Sequence, residues 1–216
     1  IWIVKLQTQI PLQKANNQID YSSKMLLLGS CFAENIGEKF EYFKFQSVVN
    51  PFGILFHPLA IKNVIEASIS GKIYAEDDVF QLNESWHCFD AHSCLSAVSQ
   101  SDIVENLNSA VKELYTQITE ASHICITLGT AWVYQHIETG KVVANCHKVP
   151  QKEFEKRLLS VQEIEESLEQ ILTLIQSVNK TAQLIFTISP VRHIKDGFVE
   201  NQRSKSHLIA ALHSIM

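Results

Sequence analysis

The sequence predicts an α/β protein with a mostly parallel sheet that helices cover on both faces. Short apolar runs of strand length alternate with stretches whose apolar residues recur at helical spacing. The runs lack polar alternation, which is typical of strands buried on both sides. Strands that alternate with helices indicate βα units and hence parallel pairing. A length of 216 residues with 46% hydrophobic residues fits one domain, predicted over 1–216.

Each element follows from its own pattern. The apolar runs predict strands at 25–28, 45–49, 124–128 and 184–188. Helical spacing of apolar residues predicts helices at 32–43, 58–70, 103–118 and 164–175, with a last helix from about Ser204. Ser160 and Glu163 form a capping box before the fourth of these helices. Residues 132–144 predict a β-hairpin that turns at Glu138-Thr139-Gly140, and 72–100 are predicted to be short strands and loops.

Composition excludes several classes of function. The formal charge of −5 argues against non-specific binding to nucleic acid or to an anionic membrane. No apolar run approaches the roughly 18 residues that span a bilayer, and no signal peptide is visible at the N-terminus. The five cysteines are odd in number and irregularly spaced, which favours reduced thiols. A cytoplasmic location is therefore favoured, although the compartment is left open because the chain begins at Ile1 rather than Met.

The topology predicts where a functional site would lie. In open parallel sheets, ligands bind outside the carboxyl ends of the strands. Three segments directly follow a predicted strand there: Gly29-Ser30, Gly129-Thr130 and 189–193. The turn at 50–53 follows a fourth strand and is expected to join them.

Ser30 stands where the first strand passes into the first helix. A serine at this junction is held at the sheet edge, and its backbone N–H lies at the positive end of the helix dipole. Such an N–H can donate to a developing oxyanion, which makes Ser30 a candidate nucleophile. The alternative is that the Ser30 side chain simply caps the helix.

The motifs resemble those of a known family. Gly29-Ser30-Cys31-Phe32-Ala33 spells the signature of the GSCFA family, which is similar to the SGNH hydrolases, flavodoxin-like serine esterases. Further motifs of that family occur in order along the chain: Asn50-Pro51-Phe52-Gly53, Trp86-His87 with His92, Gly129-Thr130-Ala131-Trp132, Asn145-Cys146-His147-Lys148, Ser189-Pro190-Val191-Arg192-His193, Asp196-Gly197, Asn201 and Ser204-Lys205. The resemblance implies a flavodoxin-like three-layer αβα fold, here with a β-hairpin insertion.

The resemblance also implies roles for particular residues. Ser30 matches the nucleophile and Gly53 matches a glycine whose N–H serves the oxyanion hole. The third SGNH motif has an Asn donor that this chain lacks after Gly129, so Thr130 donates, or Asn145 does, or that donor is absent. No Asp-x-x-His supplies the base, so the domain is expected to be truncated, with its base beyond Met216. His193 is the alternative base within the chain.

Other residues are weaker candidates. His147, Lys148 and Arg192 are predicted to bind substrate, or His147 acts as the base for Ser30. The alternatives are a histidine satisfied by loop backbone and, for Lys148 and Arg192, an ion pair with Asp196 or Glu200. Trp86 and Trp132 either stack on a sugar or belong to the core. The donors of 87–94 have no established zinc spacing, so no metal is predicted.

These features predict a serine esterase, hydrolase or O-acyltransferase that acts on ester bonds and needs no cofactor. The expected partner is a small-molecule or glycan ester, with acyl groups on glycans favoured. A non-catalytic ligand-binding domain of the same fold is the first alternative, and a metal-dependent hydrolase is the second. The oligomeric state is left open.

Overall fold

The computed structural model describes residues 10–192 and 194–216. Along the chain the helices and strands are β1 (Lys24–Gly29), α1 (Cys31–Tyr42), β2 (Gln46–Val49), α2 (Pro58–Ile69), β3 (Phe80–Leu82), β4 (Ser85–His87), α3 (Gln100–Glu120), β5 (His123–Leu128), β6 (Trp132–His136), β7 (Val142–Val143), β8 (Phe154–Leu158), α4 (Val161–Val178), β9 (Gln183–Ile188) and α5 (Phe198–Ser214).

A four-stranded parallel sheet forms the centre of the molecule. Its strand order is β2-β1-β5-β9, and all three pairings are parallel. Counted within this sheet alone, the order is 2-1-3-4, which matches the flavodoxin-like winding. The predicted α/β fold with a mostly parallel sheet is therefore confirmed.

Helices cover both faces of the sheet, but unequally. Leu26 and Leu28 of β1 point into the larger core, which α2, α3, α4 and α5 also line. Met25 and Leu27, which alternate with them, pack with Ala33 of α1 in a smaller cluster. Side chains of successive strand residues point to opposite faces, so one apolar run supplies both cores.

The predicted hairpin is part of a three-stranded antiparallel sheet of order β7-β6-β8. Tyr134 pairs with Val143 on one side and with Lys156 on the other. The hairpin is therefore confirmed, and β8 is an addition to it. A separate hairpin of β3 and β4 lies within the segment predicted to hold short strands.

The starts predicted for two helices have different outcomes. The capping box is confirmed, since the Ser160 hydroxyl accepts the Glu163 N–H at 3.1 Å and the Glu163 carboxylate accepts the Ser160 N–H at 2.8 Å. The start predicted for the last helix, near Ser204, is wrong, because α5 begins at Phe198.

Among the described residues, no helix is long and apolar enough to cross a membrane. All five cysteines are unpaired.

Candidate functional site

The carboxyl ends of the parallel strands meet at one edge, as predicted. The Gly29 N–H at the end of β1 donates to Asn50 Oδ1 at 2.8 Å, across from the end of β2. The Lys205 ammonium donates to the Gly129 carbonyl at 2.6 Å and to the Ser189 carbonyl at 2.7 Å. These bonds join the end of β1 to that of β2, and the end of β5 to that of β9.

Ser30 occupies the N-cap position of α1 without capping it. Its side chain makes no cap hydrogen bond, its residue is fully buried, and its Oγ has no partner in the described part of the chain. The Gly129 backbone packs against it, since a Cβ added to Gly129 would lie 3.1 Å from Ser30 Cβ. The capping alternative therefore does not account for this serine. A buried hydroxyl without a partner costs about 1–3 kcal/mol, so Ser30 weakens the fold.

The two backbone donors expected for an oxyanion hole are already used. The Ser30 N–H donates to the Thr127 carbonyl at 3.0 Å, because it extends the β1–β5 pairing by one residue. The Gly53 N–H donates to the Asn50 carbonyl at 2.7 Å and closes the turn at 50–53. Neither N–H is free to bind an oxyanion in this structure, which corrects both assignments.

Asn50 is a residue whose potential role the sequence reasoning missed. Its backbone is left-handed, at φ 46°, and its Oδ1 is held by the Gly29 N–H. Its Nδ2 is buried and has no partner among the described residues. Within Asn50-Pro51-Phe52-Gly53, the resemblance assigns a role only to Gly53, although an Asn that follows a buried strand is a visible signal of a functional residue.

A cavity of about 410 Å³ opens between the sheet edge and the antiparallel sheet. Its size suits a small ligand. Trp132 and Tyr134 form an aromatic wall, over which the Lys156 ammonium lies 5.2 Å and 5.5 Å from the two ring centres. Lys156 also pairs with Asp196 at 2.5 Å. The lining residues are Phe56, His57, Gly129, Thr130, Trp132, Tyr134, Val143, Ala144, Asn145, Cys146, Lys156, Lys195, Asp196, Asn201 and Ser204.

Ser30 is not one of the residues that line this cavity. Gly129 lines it and also packs against Ser30, so this one residue borders both the cavity and the serine. Of the two tryptophans predicted either to stack on a sugar or to belong to the core, Trp132 lines the cavity, whereas Trp86 packs against the large core.

Thr130 and Ser204 both line this cavity, and their hydroxyl groups are hydrogen-bonded to each other. Thr130 Oγ1 lies 3.0 Å from Ser204 Oγ, and the two oxygens accept the N–H groups of Trp132 and Ala131, at 3.0 and 2.8 Å. The pair holds two hydroxyl protons, and the bond between the oxygens uses one. One hydroxyl proton of the pair therefore remains available to a further acceptor.

Asn145 connects two cavities. Its Oδ1 accepts the His147 N–H at 2.9 Å, and no described residue accepts a hydrogen bond from its Nδ2. It lines the first cavity and a second, polar one of about 500 Å³. Lys148 lines the second cavity, is exposed and forms no ion pair with any described residue. The residues of the second cavity are Asn83, Ser85, His87, Ser93, Ser96, Asn145, His147 and Lys148.

His147 is a structural histidine. Its Nε2–H donates to the Cys88 carbonyl at 2.7 Å and to the Ala91 carbonyl at 3.1 Å. Burial lowers the pKa of His147 to about 4, so the ring is neutral at neutral pH. None of its ring contacts reaches Ser30. A histidine held by loop carbonyls through Nε2 describes it better than a general base, although its Nδ1 is buried without a partner among the described residues.

His57, which the sequence analysis passed over, has the same character. Its Nε2–H donates to the Val143 carbonyl and its Nδ1 accepts the Ala60 N–H, both at 3.1 Å, so the ring caps α2. Burial lowers the pKa of His57 to about 4. It lines the first cavity as a neutral wall.

Arg192 lies apart from both cavities and is exposed. Its expected partners are occupied elsewhere, since Asp196 pairs with Lys156 and Glu200 pairs with Arg203 at 3.0 Å. The predicted ion pair of Arg192 with either acid is therefore not formed. His193, the predicted base within the chain, lies outside the described residues.

The His and Cys side chains of residues 87–94 make separate contacts rather than forming one cluster. His87 contacts Ser96 Oγ at 2.7 Å and the Leu82 carbonyl at 3.2 Å, while His92 accepts the Cys94 N–H at 3.3 Å. Burial raises the pKa of Cys88 to about 12, which keeps it a thiol. Within 10–192 and 194–216, no three His, Cys, Asp or Glu side chains come together to hold a metal ion.

Lys205 is a second residue at the edge whose place was not foreseen. It is half-buried, and burial lowers its pKa against the opposing influence of the nearby Cys31 thiol. The pair Ser204-Lys205 belongs to the motifs quoted for the family, yet the sequence alone assigned it no role.

The fold and site together define the class of this protein. It is an α/β protein of flavodoxin-like strand order, with a buried serine hydroxyl and a polar-aromatic cavity at the carboxyl edge of its sheet. The model of the GSCFA family matches residues 24–216, and the chain belongs to that family. No curated protein and no solved structure matches the chain significantly.

Proposed function

We propose that this protein is a serine hydrolase or O-acyltransferase that acts on ester bonds, with Ser30 as the nucleophile. The observation that carries the proposal is the Ser30 hydroxyl, which is buried, caps nothing and has no described partner. A side chain that weakens the fold at the carboxyl edge of a parallel sheet is typical of a functional site. The similarity of GSCFA proteins to the SGNH hydrolases supports the same assignment.

The proposed reaction runs in two halves. Ser30 Oγ forms a bond to the acyl carbon while its proton passes to a base, and the carbonyl electron pair moves onto oxygen. When the carbonyl re-forms, the bond to the alcohol breaks and the alcohol leaves with that proton. Water or a second alcohol then removes the acyl group from Ser30 by the same steps. His193 remains the alternative base within the chain.

The first cavity supports a small or sugar-bearing ester as substrate. An aromatic wall of Trp132 and Tyr134 suits the apolar face of a sugar ring. The remaining proton of the Thr130–Ser204 pair and the Asn145 amide supply donors for hydroxyl or carbonyl oxygens. Because Ser30 does not line this cavity and Gly129 packs against it, the proposal requires Gly129 to move before the acyl group reaches the hydroxyl.

A fluorophosphonate probe tests the proposal directly. We expect the probe to modify the folded protein at one position, located by peptide mass spectrometry at Ser30. Ser30→Ala should abolish the modification, whereas Ser160→Ala, which alters only a helix cap, should keep it. Modification that persists in Ser30→Ala, or a folded wild-type protein that never reacts, would overturn the assignment of Ser30.

A second candidate is a non-catalytic binding domain. It is favoured by one specific observation: the N–H groups of Ser30 and Gly53 are both used within the backbone. On this alternative the first cavity binds a ligand that is not converted. Calorimetric binding of an ester that is recovered intact, together with the absence of probe labelling, would favour this second function.

A further inference from the structure

Two buried polar atoms that lack partners among the described residues belong to neighbours of Gly29, at the end of β1. Ser30 Oγ follows Gly29 in the chain, and the Asn50 amide is hydrogen-bonded to the Gly29 N–H at 2.8 Å. Ser30 is fully buried and Asn50 is 8% exposed. Neither Ser30 Oγ nor Asn50 Nδ2 has a hydrogen-bond partner in the described part of the chain.

The conformation of Asn50 fixes the direction of this amide. Its N–H donates to the Leu27 carbonyl at 2.9 Å, and its own carbonyl accepts the Gly53 N–H. The side-chain oxygen is fixed as well, by Gly29, and only the amide nitrogen remains unused. An unused buried donor costs free energy of the order that a lost hydrogen bond does. Such a donor is well suited to an acceptor that appears only during a reaction, because it needs no rearrangement to receive charge.

We propose that Asn50 Nδ2 is the side-chain oxyanion donor of this site. The proposal rests on the proposed function, since it assumes that Ser30 attacks an ester. As the carbonyl electron pair moves onto oxygen, the Asn50 amide donates a hydrogen bond to that oxygen. This replaces the Gly53 N–H, which the turn at 50–53 has already used. Asn50 thereby supplies the amide donor that the segment after Gly129 lacks.

Asn50→Asp is the sharpest test, because it keeps the oxygen that holds Gly29 and exchanges only the donor nitrogen. Asp also tolerates left-handed backbone, so the turn should persist. Loss of one oxyanion donor lowers kcat by about 10²–10³. We therefore expect kcat for a short p-nitrophenyl ester to fall by that factor, with KM within a few fold of wild type.

The pH profile separates catalysis from structure. In the Asn50→Asp protein, the introduced carboxyl group can still donate one hydrogen bond when it is protonated, whereas the carboxylate cannot. This variant should therefore recover part of its rate relative to wild type as the pH falls. If the role were purely structural, the same protonation would restore the free energy of unfolding but leave kcat per folded molecule unchanged.

Asn179→Asp is the matched control. Asn179 is equally exposed, at 8%, but its Nδ2 donates to the carbonyls of Ile118 and Ala121 at 2.8 and 2.9 Å. This change should lower the free energy of unfolding and leave kcat per folded molecule unchanged. If Asn50→Asp does not fold, Asn50→Gly keeps the left-handed turn and should show the same loss of kcat.

The outcomes distinguish the two proposals. Turnover that depends on Ser30 but is unchanged in Asn50→Asp overturns the role of Asn50 alone. Wild-type turnover that Ser30→Ala does not reduce overturns the proposed function and the role of Asn50 with it. A loss of kcat in Asn50→Asp with recovery at low pH, absent in Asn179→Asp, supports both.

Discussion

Replacing Ser30 with Ala should make the protein more stable while it abolishes ester turnover. Ser→Ala at an N-cap ordinarily costs about 1 kcal/mol, because the hydroxyl oxygen accepts a hydrogen bond from the first turn. Ser30 makes no such bond, so this cost does not arise. Its Oγ is instead buried without a partner, which costs about 1–3 kcal/mol that Ala recovers.

Allowing for the packing contacts of the lost oxygen, we expect a gain of about 1 kcal/mol in the free energy of unfolding. In a domain of this size, that corresponds to a rise in Tm of roughly 2–4 °C. Urea unfolding gives the free energy, and an unchanged m-value shows that the comparison is sound. The gain would mean that the fold gives up stability to keep a hydroxyl at this position.

Two other serines calibrate the measurement. Ser160 caps α4 through a bond of 3.1 Å, so Ser160→Ala should lose about 1 kcal/mol. Ser167, within α4, is 2% exposed and its Oγ lacks a described partner, so Ser167→Ala should gain stability as Ser30→Ala does. A loss of stability in Ser30→Ala as large as that of Ser160→Ala would refute the reasoning, because it would show that the Ser30 hydroxyl holds the fold together.

The remaining predictions address the turn, the buried histidines and the cavity. Gly53 and Gly71 are both left-handed, at φ 73° and 68°, but only at Gly53 would a Cβ meet neighbouring side chains. Gly71→Ala should therefore cost about 1–2 kcal/mol in urea unfolding and Gly53→Ala clearly more, and equal losses would contradict this. His57 and His147 have pKa values of about 4, below the ordinary 6.5, so between these pH values the unfolded chain binds protons that the folded protein does not. The free energy of unfolding should then decline by a few kcal/mol per histidine from pH 6.5 to pH 4, and His57→Gln should flatten that decline. Thr130→Val should raise KM for a p-nitrophenyl ester about fivefold through the loss of one hydrogen bond, while Thr130→Ser should not; equal KM values would remove Thr130 from the binding site.

The central sheet and its edge could be predicted because burial leaves a direct mark on the sequence. Strands buried on both faces appear as apolar runs, and parallel winding then brings their carboxyl ends together. The antiparallel sheet was harder. Its strand β8 carries Glu155, Lys156 and Arg157 in succession, which conceals the apolar signal of a strand. The start of α5 was hidden likewise, because Phe198 and Val199 are exposed and break the helical period.

The donors of the site could not be predicted, because their state depends on partners distant in sequence. Whether the Ser30 N–H is free depends on the register between β1 and β5, which places the Thr127 carbonyl opposite it. The turn uses the Gly53 N–H, and the Asn50 amide nitrogen has no acceptor among the described residues; a motif reveals neither. Residue types at the edge were readable, but the assignment of each hydrogen bond required coordinates.

Gly129 lines the cavity and packs against Ser30, so the movement of Gly129 that the proposed function requires would link ligand occupancy to exposure of the serine. The N–H groups of Gly129 and Thr130 both donate to the Phe56 carbonyl, at 2.8 and 2.9 Å, so this backbone is attached to the segment before α2. A ligand that binds more tightly when Gly129 is displaced raises the fraction of molecules whose Ser30 hydroxyl is accessible. The size of the increase is set by the ratio of the ligand's affinities for the displaced and the undisplaced arrangement. By reciprocity, a reagent whose attachment to Ser30 requires the same displacement should then raise the affinity of the cavity for such a ligand.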